Sequence, residues 1–114
     1  LRVTEGGCIA GLCTSLEQFR QNGLNPAETE GVVDYAIDIQ GVCMAYYLHE
    51  QEENVTKVSF RALPPYRVDQ VARQFGGGGH PQAAGCTLRM PAAQAVREVE
   101  AALHQALEEQ KTHE

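Results

Sequence analysis

No stretch of this sequence stays apolar for the roughly 20 residues needed to cross a bilayer. Its first residues, LRVTEGG, lack the basic-then-apolar order of a secretion signal. The chain therefore reads as soluble and cytoplasmic. The four cysteines, Cys8, Cys13, Cys43 and Cys86, show no paired zinc-ligand spacing, and three lie in apolar runs where a reduced thiol behaves as a small hydrophobe. They read as core thiols. No nucleophile with a partnered base can be assembled, and no carboxylate cluster suits magnesium or manganese. These absences favour a binding module over a complete enzyme.

A net positive charge is also missing. At −6 over 114 residues, the chain is poorly suited to nonspecific binding of long nucleic acid, whose affinity comes from neutralising many phosphates at once. The average conceals an asymmetry. From Lys57 to Arg97 there are six basic residues (Lys57, Arg61, Arg67, Arg73, Arg89 and Arg97) against the single acid Asp69, giving +5, while the remainder carries −11. A small anion would be drawn to that one pole.

What is present suits one compact domain: 43% hydrophobic residues in a chain of this length supply a single core. The sequence begins at Leu1 rather than methionine, as a piece of something longer or a processed product would. CIAGLC reads as a strand, and TSLEQFRQNG as a short helix with Thr14 and Glu17 as a capping box and Gly23 as its stop. In NPAETEGVVDYAIDIQG, Val32, Val33, Ala36 and Ile37 recur at helical spacing until Gly41. VCMAYYLHE is a continuous apolar run of strand length and reads as a central strand. QEEN then turns into VTKVSFRAL, where Thr56, Val58 and Phe60 alternate with Lys57, Ser59 and Arg61, so the two runs read as a hairpin.

After LPPYR, VDQVARQF places Val68, Val71, Ala72 and Phe75 on one helical face, with Asp69 as cap. The glycines Gly76 to Gly79 follow directly. His80 is then expected at an N-cap, Pro81 to Ala84 in a single helical turn ended by Gly85, and CTLRM in a short edge strand. A last helix from about Pro91 offers Val96, Val99, Leu103 and Ala106 or Leu107 to the core, and EEQKTHE is expected to fray. The sum is a single α/β domain, a mixed β-sheet of about four to five strands with packed helices.

Four consecutive glycines cost roughly 0.5–1 kcal/mol each relative to alanine, and a reason for them is needed. Glycines let successive backbone N–H groups point into one concavity, and a helix N-terminus adds further donors, so the run is suited to holding a phosphate. His80 would stand beside it as a donor, and Arg61, near a strand end, would grip phosphate oxygens. A plain turn with a capping histidine accounts for the same residues.

VSFRA (58–62), VDQVARQF (68–75) and GGGGHPQAAG (76–85) resemble the C-terminal DHH-associated domain of the DHH phosphoesterase superfamily. Within it they are most similar to the small bacterial enzymes that degrade very short oligoribonucleotides and dephosphorylate 3′-phosphoadenosine 5′-phosphate, the nano-RNases. TEGVVDYAIDIQGVCMAYYLHE extends the likeness over most of the chain. Alanyl-tRNA synthetase has a related domain, but its glycine segment lacks this histidine pattern.

The resemblance implies that Gly76, Gly77, Gly78, Gly79 and His80 contact a phosphate or terminal nucleotide and that Arg61 binds a phosphate oxygen. Phe60 and Ala62 flank Arg61 where family members commonly have Leu and Ser. It further implies manganese, held in the whole enzyme by an N-terminal catalytic domain with an Asp-His-His triplet that does not occur here. The implied partners are a short oligonucleotide or phosphorylated adenosine nucleotide and that catalytic domain in cis, with a homodimer left open and no membrane. This chain would then be the substrate-recognition half of a hydrolase, inactive alone, with neither catalytic nor metal residues of its own. A cyclic dinucleotide phosphodiesterase, a RecJ-type exonuclease and a non-binding structural or dimerisation module are the alternative readings.

Overall fold

The computed structural model describes residues 2–4, 7–15, 17 and 33–111. Its six strands are β1 (Arg2–Thr4), β2 (Ile9–Thr14), β3 (Met44–Glu52), β4 (Val55–Ala62), β5 (Gly78–His80) and β6 (Ala83–Leu88). They form one sheet in the order β1-β2-β3-β4-β6-β5. β2 and β3 are parallel and all other neighbours antiparallel, so the sheet is mixed. The expected four to five strands cover the four long ones. The two edge strands, three residues each, are too short for alternation to mark them. Among the described residues the helices are a segment at 33–37, α1 (Asp69–Gln74) and α2 (Ala92–Lys111); Glu17 is also helical, and the expected helix TSLEQFRQNG from Gln18 onward lies outside the described residues.

Alternation along the strands sorts the core onto two faces. On the back face, Ile9, Met44, Tyr46, Leu48, Val58, Phe60, Ala84, Cys86 and Leu88 pack under α1 and α2. α2 contributes Ala92, Ala95, Val99, Leu103 and Leu107, all buried along one helical stripe. Each fully buried Leu or Phe here stabilises the fold by about 1.5–3 kcal/mol. On the front face, the segment 33–37 lays Val33, Ala36 and Ile37 over Ala10, Ala45 and Tyr47. β3 is therefore buried from Met44 to His49, as an interior strand covered on both sides must be.

Several local expectations are corrected. Thr14 is the last residue of β2, and its hydroxyl shares a 3.0 Å hydrogen bond with that of Tyr47. Gly23 and Val32 lie outside the described residues. Asp69 is the first residue of α1 rather than its cap, and its carboxylate takes Arg67 instead. Residues 81–82 form the turn of a two-residue β5–β6 hairpin, so His80 is a strand residue rather than an N-cap and no helical turn follows it. β6 is interior, because β5 covers its outer side. Glu108 to Lys111 continue α2. Of the cysteines only Cys86 is buried; Cys13 is exposed, and Cys8 and Cys43 are half-buried.

Candidate functional site

The front face is covered over β2 and β3 and accessible over β4, β6 and β5. Residues directly opposite in a sheet share a face, and the register builds that accessible half row by row. Arg61 pairs with Ala83 and Ala83 with His80, so Arg61 and His80 stand in one row, two strands apart. Their backbones are separated by about 10 Å. The next row is Ser59, Gly85 and Gly78, and the third is Lys57 and Thr87. Lys57, Thr87 and His80 are exposed, and Ser59, Arg61, Gly78, Ala83 and Gly85 partly so. The result is a shallow shelf with a floor of small residues and cationic side chains at its edges.

The glycine segment forms this shelf by being a strand, not a loop. Gly76, at φ +86°, ends α1: its N–H donates to the Arg73 carbonyl at 3.0 Å and the Gly77 N–H to the Ala72 carbonyl at 2.8 Å. These two bonds are a Schellman stop. Beyond it the chain lies so close on β6 that a Cβ at Gly77 would overlap the Gly85 carbonyl oxygen, and one at Gly79 would stand 2.6 Å from the Ala84 Cα. Gly78 differs. A Cβ there would meet nothing within 4 Å, and it would project over the shelf. The hairpin turn is anchored from both sides, since the Val68 N–H donates to the Pro81 carbonyl at 2.8 Å and the Ala62 N–H to the Gln82 carbonyl at 3.1 Å. The Gln82 side-chain amide adds a 3.0 Å bond to the Tyr66 carbonyl.

Arg61 is oriented by two bonds. Its Nε donates to Asp34 Oδ1 at 2.7 Å, and its Nη1 to the Phe60 carbonyl at 2.9 Å. Guanidinium has five N–H donors, so others remain for a ligand. The Asp34 side chain is 64% exposed and the Arg61 side chain 27%. An ion pair this open is held weakly and is exchangeable for a stronger anion.

The structure thus brings Arg61, Gly78 and His80 to one face, while Gly76, Gly77 and Gly79 shape the backbone beneath. Ala62 points to the opposite face and is buried, so a side chain there does not share the shelf. The hydroxyl that does share it is Ser59, two residues earlier, which the alternation of VTKVSFRA already places beside Arg61. Asp34 carried no sequence signal, because it meets Arg61 from a separate element 27 residues away in sequence. Arg67 is committed elsewhere. Its Nε and Nη2 both donate to Asp69 at 2.8 Å, and these bonds hold the Asp69 carboxyl at about 2, against an ordinary 3.8.

Among the described residues, no three His, Cys, Asp or Glu side chains are grouped to hold a metal ion. The manganese implied by the resemblance finds no ligand set there. No described helix is long and apolar enough to cross a membrane.

Fold and shelf together define an α/β single-sheet domain with Arg61, Lys57 and His80 on the open half of one face. The family model for the DHHA1 domain matches residues 8–109, and the chain belongs to that family, the domain associated with DHH-superfamily phosphoesterases. Among solved structures it is similar to an exopolyphosphatase-related protein from Bacteroides fragilis, with 26% identity and a TM-score of 0.74 over 82% of this chain. It also matches the pGpG-specific phosphodiesterase PggH from Vibrio cholerae at 18% identity and a TM-score of 0.48 over 64% of the chain. The chain spans 28% and 26% of the lengths of these two proteins. A comparison with curated proteins finds no match.

Proposed function

We propose that this chain is the substrate-recognition domain of a manganese-dependent phosphoesterase acting on short oligonucleotides or 3′-phosphoadenosine 5′-phosphate. The observation that carries the reading is the shared row of Arg61 and His80 with the Gly78–Gly85–Ser59 floor beside it. A terminal phosphate lying over Ala83 would have a guanidinium on one side and an imidazole on the other. Below it, glycines let the ligand approach the backbone closely. A phosphate dianion competes well for Arg61 because it offers more charge than the Asp34 carboxylate and accepts paired N–H bonds.

Membership of the DHHA1 family supports a role beside a phosphoesterase centre. In this reading the metal and its activated water belong to a further domain of the same protein, and the shelf binds and orients the substrate against it. The exopolyphosphatase-related neighbour bears a name that fits a phosphate-bearing ligand.

Calorimetric titration with 3′-phosphoadenosine 5′-phosphate and a dinucleotide tests the reading. Saturable binding that weakens about 10- to 100-fold in Arg61→Ala, the loss expected for a charge-assisted hydrogen bond, supports it. Binding unchanged in both Arg61→Ala and His80→Ala would refute it.

A further inference from the structure

Outside the shelf, the N-terminal ends of β2 and β3 bring two half-buried thiols together. Cys8 and Cys43 immediately precede the registered pair Ile9 and Met44 in the parallel β2–β3 ladder. The Cys43 N–H donates to the Cys8 carbonyl at 2.7 Å, and the Met44 N–H donates to the same oxygen at 3.2 Å. The two residues therefore face each other across neighbouring strands about 4.8 Å apart. Disulfides join Cα atoms about 4.4–6.8 Å apart, so no strand has to move.

Two glycines flank them. Gly7 and Gly41 both sit at φ +91° beside them, and a Cβ on Gly41 would lie 3.9 Å from the Gly7 carbonyl oxygen. Cys43 Sγ is 3.9 Å from the Gly41 carbonyl. On that side the neighbours are backbone, while Cys8 also packs against the back-face core.

We propose that Cys8 and Cys43 are a reversible redox site, closed to a disulfide by a small disulfide of the glutathione class. One cysteine thiolate attacks the small disulfide, releasing one small thiol and forming a mixed disulfide. The other attacks the protein sulfur of that bond and expels the second small thiol. The protein loses two protons and two electrons, which reduce the oxidant to two thiols. Burial, and then the neighbouring Cys8 sulfur, push the Cys43 thiol above its ordinary value. Its thiolate is scarce at neutral pH, so the oxidant is needed in excess. The new bond ties the start of β2 to β3 and closes the chain between residues 8 and 43, which restricts the unfolded state.

The test incubates the reduced protein with excess oxidised glutathione, alkylates remaining thiols under denaturing conditions, and maps peptides by mass spectrometry. The expected result is a Cys8–Cys43 cross-linked peptide, lighter by two hydrogens, with Cys13 and Cys86 alkylated and a higher Tm that reverts on reduction. Cys8→Ser and Cys43→Ser should each abolish both the cross-link and the rise. Stable glutathione adducts without a cross-link, a cross-link to Cys13 or Cys86, or a cross-link that fails to raise Tm would overturn the proposal.

Discussion

Arg61 of β4 and Asp34 of the segment 33–37, which lies over β2 and β3, meet at 2.7 Å, so the cation assigned to ligand binding already holds an anion from its own chain. The carboxylate orients the guanidinium and also competes with any incoming phosphate. Asp34→Asn keeps an oxygen for orientation but removes the charge. Because an exposed pair is worth about 0–1 kcal/mol, this substitution should tighten phosphate binding by up to about 5-fold. It should scarcely move Tm. Weaker binding in Asp34→Asn would mean that Asp34 orients Arg61 rather than competing for it.

The glycines separate into positions that shape the strand and one that faces the ligand. Gly79→Ala forces a side chain into φ +147° and against Ala84, and Gly77→Ala overlaps the backbone of β6. Each should cost about 1–3 kcal/mol, read as a lower midpoint in urea. Gly78→Ala meets open space and should leave the midpoint nearly unchanged while weakening nucleotide binding. Equal stability losses at 77, 78 and 79 would show that the close approach to β6 does not exist in solution.

Tyr46 reaches across the back face to donate its hydroxyl to the buried Glu100 carboxylate of α2. Gly11 makes this possible, because a Cβ there would overlap the Tyr46 ring. Tyr46→Phe should destabilise the domain by about 1.5–3 kcal/mol, the range for a hydrogen bond to a charged group. Gly11→Ala should cost at least as much by displacing the ring. Thermal unfolding of both variants provides the check.

Asp69 supplies a pH signature. Arg67 lowers its folded pKa to about 2, below the unfolded value near 4. A depressed carboxyl contributes stability that is fully present above the unfolded pKa and is lost as pH falls through the folded one. Unfolding midpoints should therefore decline as pH drops from about 4 to about 2, and that part of the decline should vanish in Asp69→Asn. An Asp69 carboxyl found by NMR to titrate near 4 would contradict the bidentate geometry.

Much of this was legible in the sequence wherever a pattern repeats. The unbroken apolar run from Met44 marked an interior strand, and the alternation of Thr56, Val58 and Phe60 with Lys57, Ser59 and Arg61 gave β4 its two faces. The spacing of Val99, Leu103 and Leu107 marked the buried stripe of α2. In the glycine segment, Pro81 and a following Gly85 carry the local signals of a short helix. Tethers from Val68, Ala62 and Tyr66, residues distant in sequence, make it a hairpin instead. The Arg61–Asp34 pair is likewise made by residues distant in sequence. A single carboxylate on a helix says nothing of which strand it will meet.

The account rests on the front shelf, and a nitrogen-15 NMR titration with 3′-phosphoadenosine 5′-phosphate tests that claim most directly. It predicts saturable shifts at Ser59, Arg61, Gly78, His80 and Gly85, lost in Arg61→Ala. Saturable shifts confined to the groove of Gln70, Gln74 and Gln110 between α1 and α2 on the back face would contradict it.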